Sequence, residues 1–225
     1  MTDTAAWATM SASELSDVGD RAFEAGDKAT ARAAWERAAA GGDFFAMYNL
    51  GCMYYFGDEV EQDVPGAYGW FVRAALAGDA EAANRVGVMT ELGQGTPSDA
   101  EQAFSWYERS AEMGSLSGMA NLALAYAEGK GVAPDVEKGL AWMEKASAAG
   151  NGIASETLGR WYRDGRYVVR DYAYAMTCFE RGIAQLYAPP VLELADMYEQ
   201  GLGVPADAAK AAELRKVAAE IPEED

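Results

Sequence analysis

The residues best placed to do chemistry in this chain are carboxylates and arginines. Histidine is absent and only two cysteines occur. Without histidine there can be no Cys-His or Ser-His-Asp arrangement, and no Cys/His spacing for a metal is found. Gly129-Lys130-Gly131 lacks both the Gly-rich lead and the Ser/Thr that a phosphate loop needs around its lysine. Asp58, Glu59, Glu61 and Asp63 crowd one short stretch. They suit either a calcium loop or a solvated acidic turn, and the D-x-[DN]-x-[DN]-G ligand order is missing. The chain reads as non-catalytic, with no metal and no cofactor.

Two other groupings suit recognition. Asn49, Arg85 and Asn121 recur at intervals of 36 residues, with Thr157 and Glu193 continuing the column. An asparagine amide can donate to and accept from an extended peptide backbone. Tyr48, Met53, Asn84, Arg160 and Arg163 stand beside this column. The competing reading is a merely solvated polar face. The second grouping is Arg160, Arg163, Arg166 and Arg170, spaced by three or four residues. It could anchor a carboxylate or another anion, or its arginines could pair with acidic side chains of adjacent repeats. With Arg181 these face Glu156, Asp164, Asp171 and Glu180, a local +1 in a chain of net charge −18.

The elements that position these residues follow from the same 36-residue step. Leu50-Gly51, Val86-Gly87, Leu122-Ala123, Leu158-Gly159 and Leu194-Ala195 form one column. Gly57, Gly93, Gly129, Gly165 and Gly201 form another. Asp63, Asp99, Asp135, Asp171 and Asp207 form a third, and Trp70, Trp106, Trp142, Cys178 and Leu214 a fourth. Such self-similarity marks stacked helix pairs. Leu122, Ala123 and Tyr126 share one face of a first helix. Gly129 closes that helix in the left-handed conformation. Pro134-Asp135 starts the second helix, whose Trp142 and Ala146 are expected to fill the space between the two. Asp99 followed by Gln102 predicts a capping box. First helices of such stacks line the concave side, which is where the Asn49–Asn121 column would point.

Ala46, Leu50, Gly51, Tyr54, Gly57, Asp63, Ala67, Trp70, Ala74, Ala75 and Gly78, repeated onward, resemble the Sel1-like repeat, a relative of the tetratricopeptide repeat. The likeness covers about four-fifths of the chain. It implies an all-α fold, a right-handed α-solenoid superhelix of helix-turn-helix repeats. It also implies an adaptor or scaffold role. In tetratricopeptide relatives, polar residues in the column of Asn49, Arg85 and Asn121 clamp peptide backbones or a terminal carboxylate. Secreted members of the family often carry a cysteine pair in each repeat, and this chain lacks those pairs.

The layout expected is a flexible tail at 1–11, a single solenoid at 12–221 and an acidic tail at 222–225. Within the solenoid, 12–42 is a tetratricopeptide-like capping pair and the repeats are 43–78, 79–114, 115–150, 151–186 and 187–221. Trp7 and Met10 are expected to fold back over the open first pair. In the fourth repeat Tyr167 replaces the second glycine, and Pro189-Pro190 stiffens the next joint. Cys178 reads as a buried structural thiol.

The acidic balance argues against nucleic acid. It serves either solubility or the steering of a basic partner. No apolar run reaches membrane-spanning length and the first residues lack a secretory pattern, so a cytoplasmic location is expected. The leading functional expectation is a scaffold holding a protein or peptide in its groove, as a monomer or weak homodimer. The alternative is an acidic neutraliser or chaperone of a basic protein.

Overall fold

The computed structural model describes residues 6–220. Among them the chain is all-α, with one 3-10 turn at Ala6–Thr9, twelve α-helices and no strand. The helices are α1 (Ala12–Glu24), α2 (Lys28–Ala40), α3 (Phe44–Phe56), α4 (Val64–Ala77), α5 (Ala80–Leu92) and α6 (Ala100–Glu112). They continue as α7 (Leu116–Glu128), α8 (Val136–Ala148), α9 (Gly152–Asp164), α10 (Tyr172–Ala184), α11 (Pro190–Gln200) and α12 (Ala208–Glu220).

Contacts divide the chain into two compact units, Met1–Gly118 and Met119–Asp225. In the first, α1 packs on α2, α3 on α4 and α5 on α6; α2–α3 and α4–α5 contacts join the hairpins. In the second, α9 packs on α10 and α11 on α12, with α8–α9 and α10–α11 contacts between hairpins. The fold is an α-solenoid of helix pairs. Residues 1–5 of the tail expected at 1–11, and the tail expected at 222–225, lie outside the described residues. Residues 6–9 form a turn instead of a loose end, and Trp7 is buried in the core of the first unit.

Polar caps start the helices. Asp63, Asp99, Asp135 and Asp171 each accept a hydrogen bond from the backbone N–H three residues on. Asp43, Asp79 and Asn151 do the same for first helices. The hydrogen bonds to the Gln102 and Lys138 backbones hold Asp99 and Asp135 below the usual carboxylate range. The capping box expected at Asp99 is not formed. Gln102 Nε2 donates to Asp99 Oδ2 at 2.7 Å, while the Asp99 N–H already donates to the Thr90 carbonyl. A true capping box stands at Ser11 and Glu14.

Each turn between the helices of a repeat needs a second left-handed residue. Gly95, Gly131 and Gly203 supply it in three repeats. Glu59 (φ 60°) and Tyr167 (φ 68°) stand in the same column and carry the strain of a side chain there. Tyr167 is braced by the Trp161 ring, edge-on at 5.0 Å, and by the Arg166 guanidinium, 4.8 Å from its own ring. Glu59 is exposed, with no comparable packing.

The leucine-valine column, Leu50, Val86, Leu122, Leu158 and Leu194, forms the buried spine. The space between paired helices is filled differently from expectation. Trp70, Trp106 and Trp142 are only half-buried, each beneath a basic side chain: Arg73 at 4.1 Å, Arg109 at 5.8 Å and Lys145 at 4.3 Å. The next residue does the filling. Phe71, Tyr107, Met143 and Phe179 are buried against the neighbouring helix. One residue is a 100° turn on a helix, so Met143 points inward with Gly139 and Ala146 while Trp142 points to the flank.

Rings need sockets. A Cβ built on Gly51 would lie 2.6 Å from Phe71, on Gly87 2.6 Å from Tyr107, and on Gly159 2.4 Å from Phe179. In the third repeat Ala123 fills the socket, Met143 replaces the ring, and Gly139 gives back the room. In the fifth, Ala195 stands in the socket and Arg215 at the ring position, where it pairs with Asp196 at 2.7 Å and with Glu199.

Candidate functional site

In the first unit, one face of α1 and one face of α3 border a cavity of about 790 Å³. On α1 the wall is Ser13, Ser16, Asp17, Asp20 and Glu24, residues three or four apart and therefore on one stripe. On α3 it is Phe45, Asn49, Cys52 and Phe56, by the same spacing. Trp35 of α2 forms the floor.

The floor is held by one carboxylate. Asp20 Oδ1 accepts from Trp35 Nε1 and from Asn49 Nδ2, each at 2.9 Å. Asn49, predicted as a partner contact, thus lines the cavity with its amide nitrogen already engaged. Tyr48 packs edge-on against Phe71 with ring centroids 5.3 Å apart. Burial raises the Tyr48 hydroxyl above its ordinary range despite the hydrogen bond that Arg85 donates to it. Arg85 also lies near Cys52, whose thiol burial pushes up. The structure therefore brings Tyr48, Asn49 and Arg85 around the α3 wall. Asn84, the fourth predicted contact of this unit, is half-buried on α5.

In the second unit Asn121 is half-buried on α7. Arg160 and Arg163 converge on Glu193 of the next repeat. Arg160 Nε donates to Glu193 Oε1 at 2.7 Å and its Nη2 lies 2.7 Å from Glu156; Arg163 pairs with Glu193 and with Asp164. The hydrogen bond from Arg163 holds Asp164 below the usual carboxylate range. Arg166 reaches Glu128 at 3.4 Å and the Tyr167 hydroxyl at 2.8 Å, and Arg170 the Tyr172 hydroxyl at 3.3 Å. The four arginines of the suggested anion anchor all have partners within the chain. Around Arg163 and Arg170 lies a cavity of about 530 Å³ whose wall also carries Asp164 and Asp196, so its charge is mixed.

The α1 wall is absent from the sequence-based site, because residues 12–42 read only as a cap. Its signal was the i, i+3, i+4 recurrence of Ser13, Ser16, Asp17, Asp20 and Glu24 opposite the buried Leu15 and Gly19. Among the described residues no cluster of His, Cys, Asp and Glu could hold a metal ion, and no helix is long and apolar enough to cross a membrane.

The Sel1 repeat model matches residues 45–79, 80–115, 116–151, 158–185 and 192–220. The chain belongs to the Sel1 repeat family. Proteins of Sel1 repeats generally mediate protein–protein interaction and are generally non-catalytic. A protective antigen of uropathogenic Escherichia coli with the same repeat fold is 33% identical, with a TM-score of 0.81 over 93% of this chain and 46% of its own. This Sel1 chain thus spans less than half the length of that antigen. A Sel1 repeat protein from Oxalobacter formigenes is 24% identical, with a TM-score of 0.85 over 95% of this chain and 87% of its own. An immunity protein from Pseudomonas aeruginosa shares the fold at 20% identity and a TM-score of 0.60, covering 84% of this chain and 73% of its own. No functionally curated protein matches this Sel1 repeat chain.

Proposed function

We propose that this Sel1 repeat protein is a non-catalytic scaffold that holds a protein or peptide segment in the cavity between α1 and α3. The observation that carries the reading is the exposure of Phe45 and Phe56, 60% and 69% accessible, on the rim of a recess with a fixed polar floor. Large apolar side chains left open beside a recess mark interaction sites. Asn49 belongs to the same wall, with Tyr48 and Arg85 next to its Cys52, and the three would orient the bound backbone. Asn121 continues the same column in the second unit; it and the neighbouring Arg160 and Arg163 are proposed as further partner contacts.

Affinity capture from the source lysate tests this, with wild type beside Phe45→Ser/Phe56→Ser and Asn49→Ala/Arg85→Ala. The expected result is a protein retained by wild type and lost by both variants. Equal retention by all three would remove the α1–α3 recess as the binding surface.

A further inference from the structure

We propose that the partner segment is basic, an arginine- or lysine-bearing stretch flanked by apolar residues, seated between α1 and α3. The inference rests on the preceding reading and adds the chemistry of the occupant.

Charge is the first observation. Among the described residues the cavity wall carries five carboxylates and no lysine or arginine. Asp58 is answered by Lys28, and Asp43 caps α3. Arg85 interacts with Cys52 and Tyr48 and does not line the cavity. Asp17 and Glu24 remain, one turn either side of Asp20, whose Oδ1 is already taken by Trp35 and Asn49. The side chains of Asp17 and Glu24 have no hydrogen-bond or ion-pair partner among the described residues, and both are exposed. Like charges stacked along one helix face oppose folding, so this stripe is not explained by stability. It is complementary to a cation.

The second observation is independent of charge. Ser16 is 5% exposed, lies on the cavity wall, and its Oγ has no hydrogen-bond partner among the described residues. Buried hydroxyls are almost always bonded. An occupant's backbone carbonyl or guanidinium would supply the missing partner, because a hydroxyl can both donate and accept.

The third is the rim. Phe23, Phe45 and Phe56 are open to solvent, and Lys28 Nζ already lies 5.7 Å from the centre of the Phe23 ring. A long basic side chain lays its apolar stem on such rings while its head reaches carboxylates. Arginine suits the site better than lysine, since its planar fork can bridge Asp17, Asp20 and Glu24.

The test uses the full chain and a short synthetic peptide of alternating leucine and arginine, beside a twin with glutamine for every arginine. Binding is measured at physiological ionic strength, and occupancy is read by the rate at which iodoacetamide alkylates Cys52. The expected result is that the arginine peptide binds and slows Cys52 alkylation, that the glutamine twin does neither, and that Asp17→Asn/Glu24→Gln weakens binding by about tenfold. Glu101→Gln/Glu108→Gln, which removes as much charge from α6, should leave binding unchanged. Thermal melts confirm that both variants fold. Equal weakening by the two variants, or binding that leaves Cys52 alkylation unaltered, would show attraction to general negative charge and overturn the proposal. If both peptides protect Cys52 equally, the basic occupant is wrong while the recess reading stands. If neither protects and Phe45→Ser/Phe56→Ser leaves lysate capture unchanged, both fall.

Discussion

Gly51 is the socket for the Phe71 ring: a methyl group at position 51 would meet that ring at 2.6 Å. Gly51→Ala is expected to destabilise the chain by about 1–3 kcal/mol, the usual cost of overpacking a closed core. The third repeat supplies the remedy, since there an alanine faces a methionine. Phe71→Met added to Gly51→Ala should recover part of the loss. Urea unfolding of the single and double variants measures both. Gly69 lies mid-helix with nothing within 4 Å of an added Cβ. Gly69→Ala should instead stabilise by about 0.5–1 kcal/mol through helix propensity.

Glu59 holds a left-handed backbone without help from packing. Glu59→Gly should raise stability by about 1 kcal/mol. Tyr167→Gly relieves the same strain but loses the contact with Trp161, so its net change should be smaller or reversed. Parallel melts of the two variants decide. Destabilisation by Glu59→Gly would mean that the carboxylate holds its turn in place.

Glu193 gathers Arg160 and Arg163 with only 15% of its side chain accessible, and Arg163 is 22% accessible. Glu193→Gln leaves the guanidinium of Arg163 short of a partner and should cost about 1–2 kcal/mol, less than a fully buried pair because water reaches both groups. Arg163→Met in the same chain should return part of that loss by removing a half-buried charge that Asp164 alone then balances. A double-mutant cycle in urea reads the coupling, and a coupling near zero would reduce the pair to surface decoration.

Cys178 is fully buried, and burial, with Glu144 nearby, pushes its thiol up to about 12. In native protein at about pH 8, iodoacetamide should alkylate Cys52 slowly and leave Cys178 untouched until denaturant is added. Peptide mass spectrometry separates the two. Alkylation of Cys178 at the rate of Cys52 would show that the α9–α10 hairpin opens readily.

Asp99 is held below its ordinary range by the Gln102 N–H. A carboxyl whose folded pKa is depressed adds stability above its unfolded pKa and loses it as pH falls through the folded one. Asparagine caps equally well but cannot titrate. The stability advantage of wild type over Asp99→Asn should therefore be present at neutral pH and vanish as pH falls through and below the unfolded carboxylate range. Melts across that range check it, and a pH-independent difference would assign the effect to geometry instead of charge.

The fold was legible because helix ends are made by local chemistry. The glycine after Phe56 and the aspartate before Val64 act within their own turn, so α3 and α4 lie where the sequence puts them. Which aromatic fills the hairpin was less legible, since Trp142 and Met143 differ by a rotation that burial alone resolves. The partners of Arg160 and Arg163 were hidden further still. Glu193 lies 30 or more residues away and meets them only through stacking of one repeat on the next. The candidate site was half legible. Asn49 stood out by its period, whereas Ser16, Asp17 and Asp20 belong to a first pair outside that period.

The exchange of Gly51 and Phe71 for Ala123 and Met143, with Gly139 making room, bears on how such chains can change over generations. A recombination event that joined α7 to the second helix of the first, second or fourth repeat would drive the Ala123 methyl against a ring. One that copied α7 and α8 together would carry the matched parts intact. The two-helix module is therefore what duplication and crossover can transmit, with tolerated breakpoints in the joints between repeats.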